Sequence, residues 1–367
     1  MVLEGKGFYT WKIPLCENGD VNAILSAAKA AGLTHVLIKI ADGIKPYNID
    51  PTTGLDYAML LAQTLRSNGI QTWGWHYVYG DNPLSEANMA IQRIAQINVD
   101  GYVIDAESEY KEPGKKDAAL RFMDQLRSTL HDFPIALSSF RYPSYHPTLP
   151  WREFLDKCDF NMPQVYWMQA HNAGAQLSQS VRQFQAMTPY RPIIPTGAAF
   201  REHGWQPTTD EILDFLQTAK SLNLSAANFW EWSDCRSGRL PGLWETISDF
   251  SWSGEFEPKD ICELIILTLN SRDLNRLIEL YSPTAVHITS ARTIQGSEAI
   301  RNWYNVLLNQ VLFNGTFTLT SYSGSGNNRF FTWTATSSTG KVQDGSDTLG
   351  LIGDKIAYHY SFFTVSP

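Results

Sequence analysis

A parallel (β/α)8 barrel followed by a smaller α+β domain is the fold class that this sequence predicts. Three observations predict it. Eight short runs of apolar, β-branched or aromatic residues recur between Gly7 and Trp232 at a mean step of roughly 31 residues, the length of a βα unit. Between these runs the apolar residues change to the helical period. Beyond about position 258 the order becomes helices first and alternating strands after.

The expected strands begin at Gly7 (GFYTW), His35 (HVLIKIA), Gln71 (QTWGWHYVY), Gly101 (GYVIDAES), Pro134 (PIALSSF), Phe160 (FNMPQVYW), Ile193 (IIPTGAA) and Ser225 (SAANFWEW). Asp20 precedes an amphipathic helical stretch as a cap. Thr208 or Thr209 does the same before Glu211-Ile-Leu-Asp-Phe-Leu, with Asp210 and Glu211 favouring the first turn. An open doubly wound sheet is the runner-up, but no GxGxxG or GxxxxGK turn follows any strand. The barrel is expected over 1–250, a linker with Gly254 and Pro258 over 251–258, and the second domain over 259–367. There, Asp260–Leu269, Arg272–Tyr281 and Ser297–Asn309 read as helices and Ala285–Thr289 as extended. Thr316–Tyr322, Arg329–Ser337, Gly345–Ile352 and Lys355–Thr364 read as an antiparallel meander.

With 43% apolar and 18% charged residues the chain is not a disordered one. It carries 29 basic and 37 acidic residues, net −8, without basic clusters, which argues against a nucleic-acid partner. Acidic and basic residues balance in the second domain, so the whole excess sits on the barrel side. No window approaches the ~18 apolar residues of a membrane span. The start MVLEGKGFYTW lacks the basic-then-apolar pattern of a secretory signal, so the expected location is the cytoplasm or release by another route. Cys16, Cys158, Cys235 and Cys262 form no CxxC pair and read as reduced thiols. No HExxH or GxSxG occurs, so neither a metal nor a cofactor is expected, and a serine hydrolase is disfavoured.

Active sites of such barrels lie at the C-terminal ends of the strands. The fourth run ends Ile104-Asp105-Ala-Glu107-Ser-Glu109, and period-two alternation turns Asp105, Glu107 and Glu109 to one side. Adjacent carboxylates repel, so one holds its proton as a general acid while the other stays ionised, the arrangement that glycoside hydrolysis needs. The other strand ends are rich in aromatic residues among the chain's 12 tryptophans: Trp75 and Tyr77, Gln164 with Tyr166, and Trp230 with Glu231. Aromatic faces stack on the apolar faces of sugar rings. Lys39, inside an apolar strand, needs a partner, and Asp105 across the barrel is the expected one. Glu231 is either a further acid or a structural group, and His76 reads as a core histidine.

These motifs resemble the lysozyme-type glycoside hydrolase family 25 barrel, which cleaves the glycan strands of peptidoglycan. Lys39-Ile-Ala-Asp-Gly43, Gly74-Trp-His76-Tyr77, Asp105-Ala-Glu107 and Gln164-Val-Tyr166 carry the resemblance. It implies Glu107 as the acid and Asp105 as its catalytic partner, stabilising the reacting centre or positioning an acetamido group. Tyr9, Lys39, Trp75, Tyr77, Gln164, Tyr166, Trp230 and Glu231 would bind the polysaccharide or oligosaccharide substrate. The sequence departs from that family at its first strand, Gly7-Phe-Tyr9-Thr-Trp11, which lacks a carboxylate, and at the eighth, where Asn228 or the later Glu231 is the only substitute. A barrel that binds a glycan without cleaving it is therefore the alternative. The tail resembles the SnoaL-like branch of the nuclear-transport-factor-2-like fold, through Arg272–Tyr281, Ala285-Val-His287 and Gly296–Tyr304. That resemblance implies a cone-shaped pocket or a homodimer through this domain. No Asp/His pair is evidently placed for catalysis there, so His287 and His359 are expected to pack or to face solvent, with lining the pocket as the alternative.

Overall fold

The computed structural model describes residues 3–252, 260–272 and 274–366. The chain divides into two compact units, Met1–Gly254 and Glu255–Pro367. Apart from Ser251 and Trp252, the linker expected over 251–258 lies outside the described residues.

The first unit is a closed barrel of eight parallel strands: β1 (Gly5–Thr10), β2 (His35–Asp42), β3 (Gln71–Val78), β4 (Gly101–Ala106), β5 (Ile135–Phe140), β6 (Phe160–Val165), β7 (Thr196–Ala198) and β8 (Ala226–Trp230). Each pairs with the next, and β1 closes the ring by pairing with both β2 and β8. Alternation along the strands builds two nested cores. Phe8, Val36, Ile38, Tyr102, Ile104 and Leu137 face the surrounding helices. Tyr9, Leu37, Trp73, Trp75, Val103, Ala136, Met162 and Ile194 fill the barrel interior. Such a barrel is a packed core rather than a pore, so only its C-terminal rim can meet a substrate. Gly101 makes room inside: a methyl group built there would collide with the Trp73 indole across the β3–β4 pair.

The helices begin where the sequence signals them. Asp20 accepts from the amides of Asn22 and Ala23 ahead of α1 (Val21–Ala30). Thr208 and Glu211 form a reciprocal capping box on α7 (Thr209–Ser221). The seventh strand is much shorter than its apolar run suggests, because Pro192 and Pro195 supply no ladder N–H and only Thr196–Ala198 pairs regularly.

The second unit pairs α10 (Ile261–Ser271), α11 (Leu274–Glu279) and α12 (Ser297–Val306) with a mixed sheet. Its strands are β9 (Tyr281–Ile288), β10 (Thr293–Gln295), β11 (Thr316–Ser323), β12 (Asn328–Thr336), β13 (Lys341–Ile352) and β14 (Lys355–Phe362), in the order β10-β9-β14-β13-β12-β11, with a short β15 (Val365–Ser366) paired to β13. The expected meander holds for β11 to β14. The sheet as a whole is not antiparallel, because β9 pairs parallel to β14 after a long crossover. Inward-facing Phe331, Trp333, Val342, Leu349 and Ile356 pack with Cys262, Leu277, Ile300 and Tyr304 into a separate core. All four cysteines are free and buried. No described helix is long and apolar enough to cross a membrane.

Candidate active site

Strand β4 delivers Asp105 into the barrel and ends at Ala106, which leaves Glu107 at the rim, opening a short helical turn over Ser108–Lys111. The link between them is Gln164 at the end of β6. Its side-chain nitrogen donates one hydrogen bond to Asp105 Oδ1 at 3.0 Å and one to Glu107 Oε1 at 2.9 Å. Sharing one nitrogen, the two oxygens lie within about 6 Å of each other. Burial pushes the Asp105 carboxyl far above the usual carboxylate range, and the charge of Glu107 raises it further, against the opposing pull of Lys39. Glu107 is raised as well, again by burial, with the Gln164 hydrogen bond working the other way. Two such groups cannot both ionise at low cost, so the pair retains a proton to higher pH than a free carboxylic acid would. Glu109 stands apart, bound by the Tyr77 hydroxyl at 2.8 Å.

Glu107 looks into a groove of about 700 Å3 on the C-terminal face. Trp11, Tyr142, Tyr145, Tyr166, Phe200 and Trp230 line it, together with Gln164 and the cationic side chains of Lys12, Arg141 and Arg201. Asp105 is not on its wall but beneath it. The groove residues that the sequence reading missed, Arg141, Tyr142, Tyr145 and Phe200, sit on loops after the strands, where no periodicity marks them.

Of the expected binding residues, Gln164, Tyr166, Trp230 and Glu231 line the groove. Tyr9 and Trp75 do not: both are buried inside the barrel, packed under Trp230 with ring centroids 5.6 and 5.2 Å from it. They form the floor's support rather than its surface. Tyr77 is half-buried and turned to Glu109. Lys39 does not pair with Asp105. A bulge in the β2–β3 pairing after Lys39 brings Asp42 round, and the Lys39 ammonium meets Asp42 Oδ2 at 2.6 Å, over the faces of Tyr47 and Trp75. Lys39 therefore acts on Asp105 only as a nearby charge. Glu231 caps the short helix α8 (Trp232–Cys235): its oxygens accept from the Ser233 and Asp234 amides and the Ser233 hydroxyl. Those bonds occupy it as a structural group. His76 is buried, held by Tyr102 and the Gly43 carbonyl, and burial lowers it to about 4. Asn228 faces inward and bonds His35 Nε2 at 2.6 Å.

The second unit corrects another expectation. His359 and Asp347 are both buried and paired, Nε2 to Oδ2, at 2.8 Å. Asp347 Oδ1 also accepts from Trp333 Nε1 at 3.1 Å and the Ser361 hydroxyl at 2.8 Å. On the other side of the His359 ring, Nδ1 meets the Tyr281 hydroxyl at 2.6 Å, and Tyr281 meets Tyr304 at 2.6 Å. His287 lies against this chain, its ring centroid 4.6 Å from that of His359. Among the described residues no group of three or more His, Cys, Asp or Glu is arranged to hold a metal ion.

A family model described as a SnoaL-like domain matches residues 264–359. No curated protein matches the chain. Among solved structures, an NTF2-like protein of unknown function from Cytophaga hutchinsonii ATCC 33406 is 12% identical, covering 30% of this chain and 94% of that one, with a TM-score of 0.26. A protein with a ketosteroid isomerase-like fold from Catenulispora acidiphila DSM 44928, in complex with trimethylamine, is 16% identical over 30% and 89%, with a TM-score of 0.27. An NTF2-like protein of unknown function from Burkholderia xenovorans LB400 is 11% identical over 29% and 81%, with a TM-score of 0.26.

Proposed function

We propose that the barrel is a glycoside hydrolase acting on a cell-wall or other N-acetylhexosamine-containing glycan. The observation that carries this reading is the Asp105–Gln164–Glu107 constellation, with Glu107 and Gln164, but not Asp105, open to an aromatic-walled groove. Glu107 keeps its proton at a pH where an exposed glutamate has lost it, and gives that proton to the glycosidic oxygen. Asp105, below it, keeps its proton through burial and orients the 2-acetamido group. The two carboxyl oxygens that share Gln164 lie within about 6 Å of each other, below the ~6.5–9.5 Å separation by which an inverting enzyme admits its water, which favours retention. Trp11, Tyr166 and Trp230 offer faces to successive sugar rings.

The decisive experiment incubates the protein with peptidoglycan and with chito-oligosaccharides and follows new reducing ends. Glu107→Gln is expected to lower release by about 10²–10⁴-fold without loss of glycan binding. The configuration of the first product is expected to be retained. Absence of release by the unaltered protein from pH 4 to 8 would rule out cleavage of these glycans.

The second reading, a barrel that binds a glycan without cutting it, is favoured by one observation. Strand β1 offers no carboxylate, and at β8 the inward position is Asn228, tied to His35. Retained pull-down on the same polymers without release would support it. For the second unit we propose a homodimer contact, supported by the uncharged patch of Phe330, Thr348, Tyr358, Tyr360 and Phe362 on the outer face of its sheet.

A further inference from the structure

The groove has a charged side that the proposed chemistry does not use. Arg141 follows β5, and Phe140 pairs with Gln164 across the β5–β6 ladder, so Arg141 stands beside the Asp105–Gln164–Glu107 group. Its Nη1 donates to the Tyr166 carbonyl, and its Nε, covered by the protein, finds no acceptor. Lys111 closes the turn that Glu107 opens and holds its ammonium over the Phe140 ring, 5.0 Å from the centroid. Among the described residues neither cation has a carboxylate within ion-pair distance. His146 stacks on Phe140, with ring centroids 3.8 Å apart and planes 19° from parallel. Burial lowers the His146 pKa, and the charges of Lys111 and Arg141 lower it further. Arg141 and His146 both line the groove.

This side reverses the balance of the barrel, which carries the chain's acidic excess. The groove's remaining carboxylates follow β7 and β8, and each meets its own partner: Glu202 meets His203, Asp234 meets Arg239, and Glu231 caps α8. Glu107 keeps its proton and so does not repel an anion bound next to it. A half-buried guanidinium without a counter-charge is costly, and its planar donors match a carboxylate. The aromatic rings beside it suit the face of a sugar. We propose that the groove selects an acidic glycan, in which a uronic acid occupies the β5 side with its carboxylate at Arg141. This rests on the reading of the groove as a glycan site, and not on cleavage.

The test measures binding by the full chain carrying Glu107→Gln, so that no probe is consumed. The probes are a hyaluronan hexasaccharide, in which N-acetylglucosamine alternates with glucuronic acid, and the same hexasaccharide with its carboxyls methyl-esterified. The rings are identical and the charge differs. The acid is expected to bind about tenfold or more tighter than the ester, by a margin that narrows as salt rises. Arg141→Gln, added to the same chain, should bring the ratio of the two affinities close to one, and Lys111→Gln should lower it partway. His146 supplies an independent readout. Its pKa, followed by NMR of the chain labelled with 15N in its histidines, should rise when the acid binds and stay in place with the ester, since a nearby carboxylate favours the imidazolium. Equal affinity for acid and ester would overturn the inference and leave the glycan reading standing. Binding of neither probe, nor of a chito-oligosaccharide, would overturn both. Tighter binding of the acid with His146 unmoved would put the anion elsewhere and overturn the assignment to Arg141.

Discussion

Gln164 spends both hydrogens of one nitrogen on two carboxylates, and this sets the pH behaviour of the barrel site. Its bond to Glu107 favours the ionised form, against burial. Gln164→Leu removes that bond, so Glu107 is expected to hold its proton to still higher pH. The alkaline limb of the pH–rate profile should move upward while the maximal rate falls, because the acid becomes weaker and less well placed. A limb that stays in place would detach Gln164 from the acid. Stability carries a second signature. Asp105 has a folded-state pKa well above its unfolded one. Below about pH 4 it is protonated in both states and costs nothing. As pH rises, the unfolded chain ionises first and stability falls, until the folded pKa is passed. Asparagine cannot titrate. The unaltered chain is therefore expected to lose stability relative to Asp105→Asn as pH rises from 4, read by urea unfolding at several pH values.

At the scale of elements, the barrel strands were legible because buried parallel strands are apolar runs of regular spacing, and Asp105 and Glu107 because alternation fixes their side. What could not be read were departures from regularity. The bulge in β2 sends Lys39 to Asp42 rather than to Asp105. A second bulge, between Gly350 and Leu351, shifts the β13–β14 register by one. Without it Ser361 and His359 would turn with Ala357 to the outer face, since Ile356 faces the core. With it Asp347 lies opposite Ser361 and diagonal to His359, inside. A single extra residue, Ala357, thus separates a surface histidine from a buried Asp–His pair, and no composition signal marks it. Regular packing is testable too. Gly101 faces the Trp73 indole with no room for a methyl group. Gly101→Ala is expected to destabilise the barrel by about 1–3 kcal/mol, through overpacking. Unfolding followed by tryptophan fluorescence would measure it, and a neutral result would mean that the barrel interior can yield.

At the scale of the whole molecule, the outer face of the second unit's sheet is what supports the proposed dimer. Phe330, Tyr358, Tyr360 and Phe362 are 44%, 41%, 39% and 40% exposed, and Thr332, Ser346 and Thr348 lie between them. Cross-strand pairing places Phe330 opposite Thr348 and Thr348 opposite Tyr360, so the aromatic rings and hydroxyls form one patch. None of these residues is charged, whereas a solvated sheet face normally carries charges in alternation. Aromatic enrichment with charge depletion is the composition of an interface core. An uncharged patch is also compatible with a two-fold contact, in which the same patch meets itself and residues near the axis meet their own copies without like-charge repulsion. The full chain is therefore expected to sediment as a dimer at micromolar concentration. Tyr360→Lys places two ammonium groups near that axis and should yield a monomer with an unchanged circular dichroism spectrum. Since the barrel's groove belongs to the other unit, the same variant should leave glycan cleavage as it is. Loss of cleavage together with dimerisation would mean that assembly shapes the site itself.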